Sequence, residues 1–200
     1  MVIPTAQVKQ LRELTGAGIL DCRTALEETG GDVDKAVQYL REKGLAAAEK
    51  RLGRETREGF IDLYSHGNGR VGVMVEVNCE TDFVARAEEF RRFVHEVALQ
   101  VAAACPLYLD VSQIPSEVVE VQRTEARNQA RREGKPEKVW DRIVEGRLDK
   151  FYREVCLLRQ PYIRDDQMTV ADVLRQMIAS TGENVVIRRF QRWEVGQEAG

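Results

Sequence analysis

The segment FIDLYSHGNGRVGVMVEVNC, residues 60–79, leaves the fold the fewest choices. Its second half sets Val71, Val73, Val75 and Val77 at alternate positions, with Gly72, Met74, Glu76 and Asn78 between them. A period of two puts the valines on one face of a strand, and β-branched side chains favour that extended backbone. Gly67-Asn68-Gly69 interrupts the run, with His66 read as part of the same turn, and supplies the positive φ angles of a hairpin reversal. Two antiparallel strands are therefore expected, with one face to be covered. The flanking sequence repeats at helical rather than strand spacing, so helices must cover it.

Residues 5–44 read as three short helices. Val8, Leu11 and Leu14 form the stripe of the first, which stops at Thr15-Gly16-Ala17-Gly18. The second runs from about Ile19 to Glu28 with Ala25 and Leu26 inward, and ends at Gly30-Gly31. Asp32 is placed to cap the third, whose stripe is Val33, Ala36, Val37 and Leu40 and whose end is Gly44. Residues 45–58 carry interleaved charges of both signs and read as a partly helical, solvated linker.

After the hairpin, Phe83, Ala87, Phe90, Val94, Val97 and Val101 step by four and three, which predicts one long helix from Asp82 to Ala104. Pro106 lies just beyond it. A charged helix is expected over 115–133, another over 137–158, and a loop at QPYIRDD. Thr169 and Asp172 have the form of a capping box opening a helix that Gly182 closes. NVVIRRFQRWEV reads as a last strand, with Val186, Arg188, Phe190 and Trp193 available to its faces. The expected architecture is α+β: a three-helix module at 1–44, a linker at 45–58, and a core domain at 59–200. In that core domain a three-stranded antiparallel sheet is packed by helices.

The chain of 200 residues is 43% hydrophobic and 32% charged, enough to bury a core. Its net charge of -3 argues against a nucleic-acid binder working through bulk charge. No apolar run reaches the roughly 18 residues of a membrane span, and no signal peptide is evident. The four cysteines, Cys22, Cys79, Cys105 and Cys156, form no CxxC pair, so neither a metal site nor any cofactor is expected, and reduced thiols in a cytoplasmic protein are. Nucleotide-binding and nucleophile-elbow motifs are absent. His66 and His95 have no partner recognisable by spacing, and Asp165-Asp166 lie in a predicted loop, so no catalytic residue is expected.

One stretch resists a purely structural account. Thr81 is a plausible N-cap, and Asp82 then stands in a first turn where negative charge suits the helix dipole. Phe83 aligns with the core stripe by period. An aromatic in a first turn that overhangs a sheet can instead anchor a partner, and periodicity does not choose.

EVNCETDFVAR, residues 76–86, is similar to the signature of translation elongation factor Ts, the nucleotide-exchange partner of elongation factor Tu. LRELTGAGILDCRTAL (11–26), EGRLDKFYREVCLLRQPYIRDD (145–166) and TGENVVIRRFQRWEVG (181–196) also resemble that family, in order along the chain. Arg23, Thr24 and Tyr162 depart from its usual residues; Thr24 loses a charge.

The resemblance implies a ubiquitin-associated-like module ahead of the core domain. It implies binding to GDP-bound elongation factor Tu and promotion of GDP release, without covalent chemistry. Thr81, Asp82, Phe83 and Val84 would intrude beside the partner's magnesium and phosphate site. Arg12, Ile19, Leu20 and Arg86 would dock on the partner; from sequence, Ile19 and Leu20 are equally core residues of the module. Short members of the family suggest a homodimer with NVVIRRFQRW as an interface strand. Direct nucleic-acid or membrane binding is not implied. The competing functions are a chaperone-like or ubiquitin-associated-type adaptor without exchange activity, and an RNA-associated factor using Arg127, Arg131 and Arg132.

Overall fold

The computed structural model describes residues 3–197; residues 1–2 and 198–200, which the sequence reading assigns to the module and the core domain, lie outside the described residues. Along the chain come α1 (Thr5–Thr15), α2 (Ile19–Glu28), α3 (Val33–Glu49), β1 (Glu58–His66), β2 (Val71–Cys79), α4 (Asp82–Arg86) and α5 (Glu88–Ala104). These are followed by α6 (Ser116–Arg132), α7 (Trp140–Val155), β3 (Pro161–Tyr162), β4 (Asp165–Thr169), α8 (Val170–Thr181) and β5 (Val186–Glu194). The expected α+β class holds: three strands form an antiparallel sheet in the order β1-β2-β5, and β3 and β4 pair separately.

The described chain divides into two compact units. The first comprises the chain up to Gly59, Asn78–Phe90 and Leu174–Val186. Its three N-terminal helices enclose Val8, Leu11, Cys22, Ala25, Leu26, Ala36 and Leu40. Asp32 caps α3 by accepting from the Lys35 amide at 3.0 Å, a bond worth about 1 kcal/mol. Helix α3 does not stop at Gly44 but continues to Glu49. Gly44 serves a close approach instead: a Cβ there would come within 3.1 Å of the Ala179 Cβ of α8. Leu14, placed on the core stripe of α1 by its period, is exposed.

The second unit comprises Phe60–Val77, Arg91–Val173 and the chain from Ile187 on. The hairpin turn has positive φ at Gly67, Asn68 and Gly69, as the triplet requires, and His66 is the last residue of β1 rather than part of the turn. Val73, Val75 and Val77 are buried, as the alternation predicts. The same side of the sheet meets α5. Arg91 stacks over the Phe60 ring, Asp62 bonds His95 at 2.8 Å, and the Arg192 guanidinium donates to the Ala102 carbonyl. Helices α6 and α7 enclose Ala126, Val144 and Leu148 between them.

Two expectations change here. The helix predicted over 137–158 is α7 flanked by 3-10 turns at Glu137–Val139 and Leu157–Arg159. QPYIRDD is not a loop but contributes to the β3–β4 ribbon, in which Tyr162 pairs with Asp165. A two-residue strand has no period to read. The ribbon is held from outside: Glu96 of α5 accepts from the Tyr162 hydroxyl at 3.1 Å and from Arg164 at 3.0 and 3.3 Å. The Arg164 hydrogen bonds hold the Glu96 carboxyl below its usual range. The capping box at Thr169 and Asp172 is formed in both directions, at 2.9 and 3.2 Å.

Candidate functional site

Strand β2 ends at Cys79, and Thr81 takes an extended backbone with φ -126 and ψ 154. Its Oγ1 accepts from the Val84 amide at 3.4 Å, so Thr81 is the N-cap of α4. Asp82 stands in the first turn and pairs with Arg86 at 2.9 Å; both are exposed. That pairing occupies one of the positions the sequence suggests for docking, Arg86, on the surface of the same helix.

Helix α4 is five residues long and buries Val84 and Ala85. Phe83 between Asp82 and Val84 is 83% exposed. It does not join Phe90, Val94, Val97 and Val101, which are buried. The reason is Ala87, whose ψ of 136° breaks the predicted long helix in two. Six residues of the helical stripe are in phase only if the helix is continuous, and one extended residue resets the phase.

A carboxylate far along the chain holds the entry to α4. Glu183 Oε2 accepts from the backbone amides of Glu80 and Thr81, each at 3.0 Å, and Oε1 accepts from the Thr81 hydroxyl at 2.6 Å. In return, the Asn184 amide donates to Glu80 Oε1 at 2.6 Å, and Asn184 Nδ2 donates to the Arg54 carbonyl at 2.8 Å. Cys79 lies beneath this lattice and donates to the Thr81 carbonyl at 3.2 Å. Burial, and secondarily the charge of Glu183, push the Cys79 thiol up to about 11. The thiol is therefore protonated at neutral pH and a poor nucleophile.

In the N-terminal module, Ile19 and Leu20 open α2 at 57% and 79% exposure. The core alternative for them is thereby answered: they are surface residues. Arg12 is exposed on the last turn of α1, where its carbonyl accepts from the Gly16 amide. Leu14 is exposed on the same turn, so three large apolar side chains cluster along the chain around the α1–α2 reversal. Among the described residues no group of three or more His, Cys, Asp or Glu side chains could hold a metal ion. No helix there is long and apolar enough to cross a membrane.

The family model described as Elongation factor TS matches residues 30–197. The chain is 58% identical to elongation factor Ts of Caldanaerobacter subterraneus subsp. tengcongensis, over 98% of each protein. It is 53% identical to elongation factor Ts of Coprothermobacter proteolyticus, over 98% of this chain and all of that one. Identity to elongation factor Ts of Moorella thermoacetica is 54%, over 98% and 97%. The chain belongs to the elongation factor Ts family.

It is thus a translation elongation factor. The alignments span 195 to 197 residues and so take in most of the stretch before residue 30, which holds the first two helices of the three-helix module. In this family member two residues near the site escaped the sequence reading. Leu14 was hidden by a helical period that also fits the core. Glu183 acts on residues about a hundred positions away, and no local pattern carries that signal; only its place in the TGENVV stretch set it apart.

Proposed function

We propose that this elongation factor binds GDP-loaded elongation factor Tu in the cytoplasm and speeds the release of GDP, with no covalent chemistry of its own. The observation that carries the reading is Phe83, a large aromatic side chain held out in solvent on a capped, five-residue helix. Leaving a Phe side chain in water forgoes about 2 kcal/mol of burial. A partner that covers the ring recovers that energy.

Thr81, Asp82, Phe83 and Val84 form the intruding turn. Thr81 caps it, Val84 anchors its buried face, and Phe83 is the wedge. Asp82 carries its charge toward the region where the partner holds magnesium and phosphate. A protein that binds the partner only with that region distorted must weaken the grip on GDP. The coupling is reciprocal, so nucleotide rebinding expels the protein. Arg12, Leu14, Ile19 and Leu20 supply a second docking surface on the three-helix module, and Arg86 keeps Asp82 in place. The module and the core domain are both required, one to dock and one to distort.

The test is release of a fluorescent GDP analogue from elongation factor Tu in the presence of excess unlabelled nucleotide. The wild-type protein accelerates release. Phe83→Ala folds normally and loses about tenfold or more of that acceleration, as expected of a buried aromatic hot spot. A release rate that does not change on adding wild-type protein refutes the assignment.

A further inference from the structure

Phe83 can act as a wedge only if α4 points it in one direction, and α4 has little of its own to fix that direction. Five residues are too few for a helix to be stable in isolation. Its buried side chains, Val84 and Ala85, are small. The extended backbone at Ala87 uncouples it from α5, so it does not inherit the orientation of the longer helix. The constraint must come from the other end.

There the loop after α8 takes hold. Gly182, at φ +75, turns the chain out of α8 and presents Glu183. The Glu183 carboxylate accepts from two consecutive backbone amides and one hydroxyl, as described above. Charged acceptors of this kind make stronger bonds than neutral ones. Thr81 Oγ1 has one proton and gives it to Glu183, while its lone pair accepts from the Val84 amide. The hydroxyl therefore links the carboxylate directly to the first turn that carries Phe83. Glu80 returns the bond to the Asn184 amide and also meets Arg54 at 3.5 Å. The two strands of backbone are thus tied in both directions. Capping α4 needs only Thr81; the bonds from Glu80 and Thr81 amides to Glu183 lie ahead of the helix and serve its aim rather than its formation.

We infer that Glu183 is a positioning residue for nucleotide exchange, acting through Thr81 to hold Phe83 in its inserting orientation. This rests on the reading of Phe83 as the group that enters the partner.

The experiment measures GDP release from elongation factor Tu with Glu183→Ala and Glu183→Gln, each alone and combined with Phe83→Ala, alongside far-UV circular dichroism. Glu183→Ala should lower the acceleration about tenfold, the factor for one charge-assisted hydrogen bond. Glu183→Gln keeps an oxygen for the two amides and should stay within about threefold of wild type. Adding Glu183→Ala to Phe83→Ala should cost nothing further, because both changes remove the same wedge. Normal exchange by a folded Glu183→Ala protein overturns the inference, and so do deficits that multiply in the double variant.

A check on the wild-type protein avoids any dependence on variant folding. The Glu80 and Thr81 amides should be protected from hydrogen exchange in the free protein, and free exchange at both sinks the proposal. The two readings fail differently. If wild type does not accelerate release, the exchange function itself is wrong. If wild type is active and Phe83→Ala is slow while Glu183→Ala is not, only the role of Glu183 is wrong.

Discussion

Phe83 and Phe90 are separated by two helical turns and would share a face on an uninterrupted helix. In the folded chain one is 83% exposed and the other has no exposed surface. Their substitution should therefore separate the two roles. Phe90→Ala empties a filled core position and should cost about 3–5 kcal/mol in urea unfolding. Phe83→Ala removes a ring that touches mostly water and should fall within about 0.5 kcal/mol of wild type. Equal losses for the two variants would return Phe83 to the core. The comparison also shows which residue-level properties the sequence carries. The positions of Phe90, Val94, Val97 and Val101 follow from period alone, and the N-cap at Thr81 and the charge at Asp82 follow from residue type. The exposure of Phe83 does not, because it hangs on one backbone angle at Ala87, and alanine gives no outward sign of a break. An exposed Phe83 is what the family resemblance implies, and periodicity does not contain it.

Among elements, the break between α4 and α5 makes Ala87 the residue that precedes the first turn of α5. Alanine is a poor occupant of that position, because its side chain can accept nothing from the exposed amides of the first turn. Ala87→Ser should supply that acceptor and raise stability by about 0.5–1 kcal/mol. In a continuous helix from 82 to 104 the same change would sit mid-helix and lower stability by about 0.5 kcal/mol. The sign of the shift in the urea midpoint thus distinguishes the two backbones. α1, α2, α6 and the two long hairpin strands were legible from sequence, whereas α5 was read as continuing back to Asp82. The ones that escaped are short or set by tertiary contacts. Glu96 on α5 holds Tyr162 and Arg164 of the β3–β4 ribbon. α3 passes through Gly44, whose missing side chain leaves room for Ala179 of α8.

At the scale of the molecule, one face of the three-stranded sheet carries several exposed large apolar side chains. Phe60, Asp62 and Arg192 meet α5 on one side. By alternation Ile61 and Leu63 of β1 and Trp193 of β5 lie on the other, and all three are exposed. Met74 of β2 joins them, since its neighbour Glu76 on that face pairs with Arg189 of β5 at 2.6 Å. Several large apolar side chains on one sheet face are more than scattered surface exposure, and such a face suits association. A second copy of the chain is the occupant we propose, through a two-fold interface in which the same face meets itself. Light scattering at micromolar concentration should then give twice the monomer mass. Leu63→Asp, which places a charge on that face, should give a monomer with unchanged helical content. In a Trp140→Phe background the remaining fluorescence reports Trp193, and its emission should move to the red as dilution exposes the ring. A single monomeric species over the whole concentration range would remove the dimer. GDP release measured with the Leu63→Asp monomer then decides a separate matter. The Phe83 turn and the α1–α2 reversal belong to one compact unit, whereas Leu63 belongs to the other. A monomer should therefore keep the acceleration per chain, and loss of it would mean that a second copy contributes to the partner-binding surface.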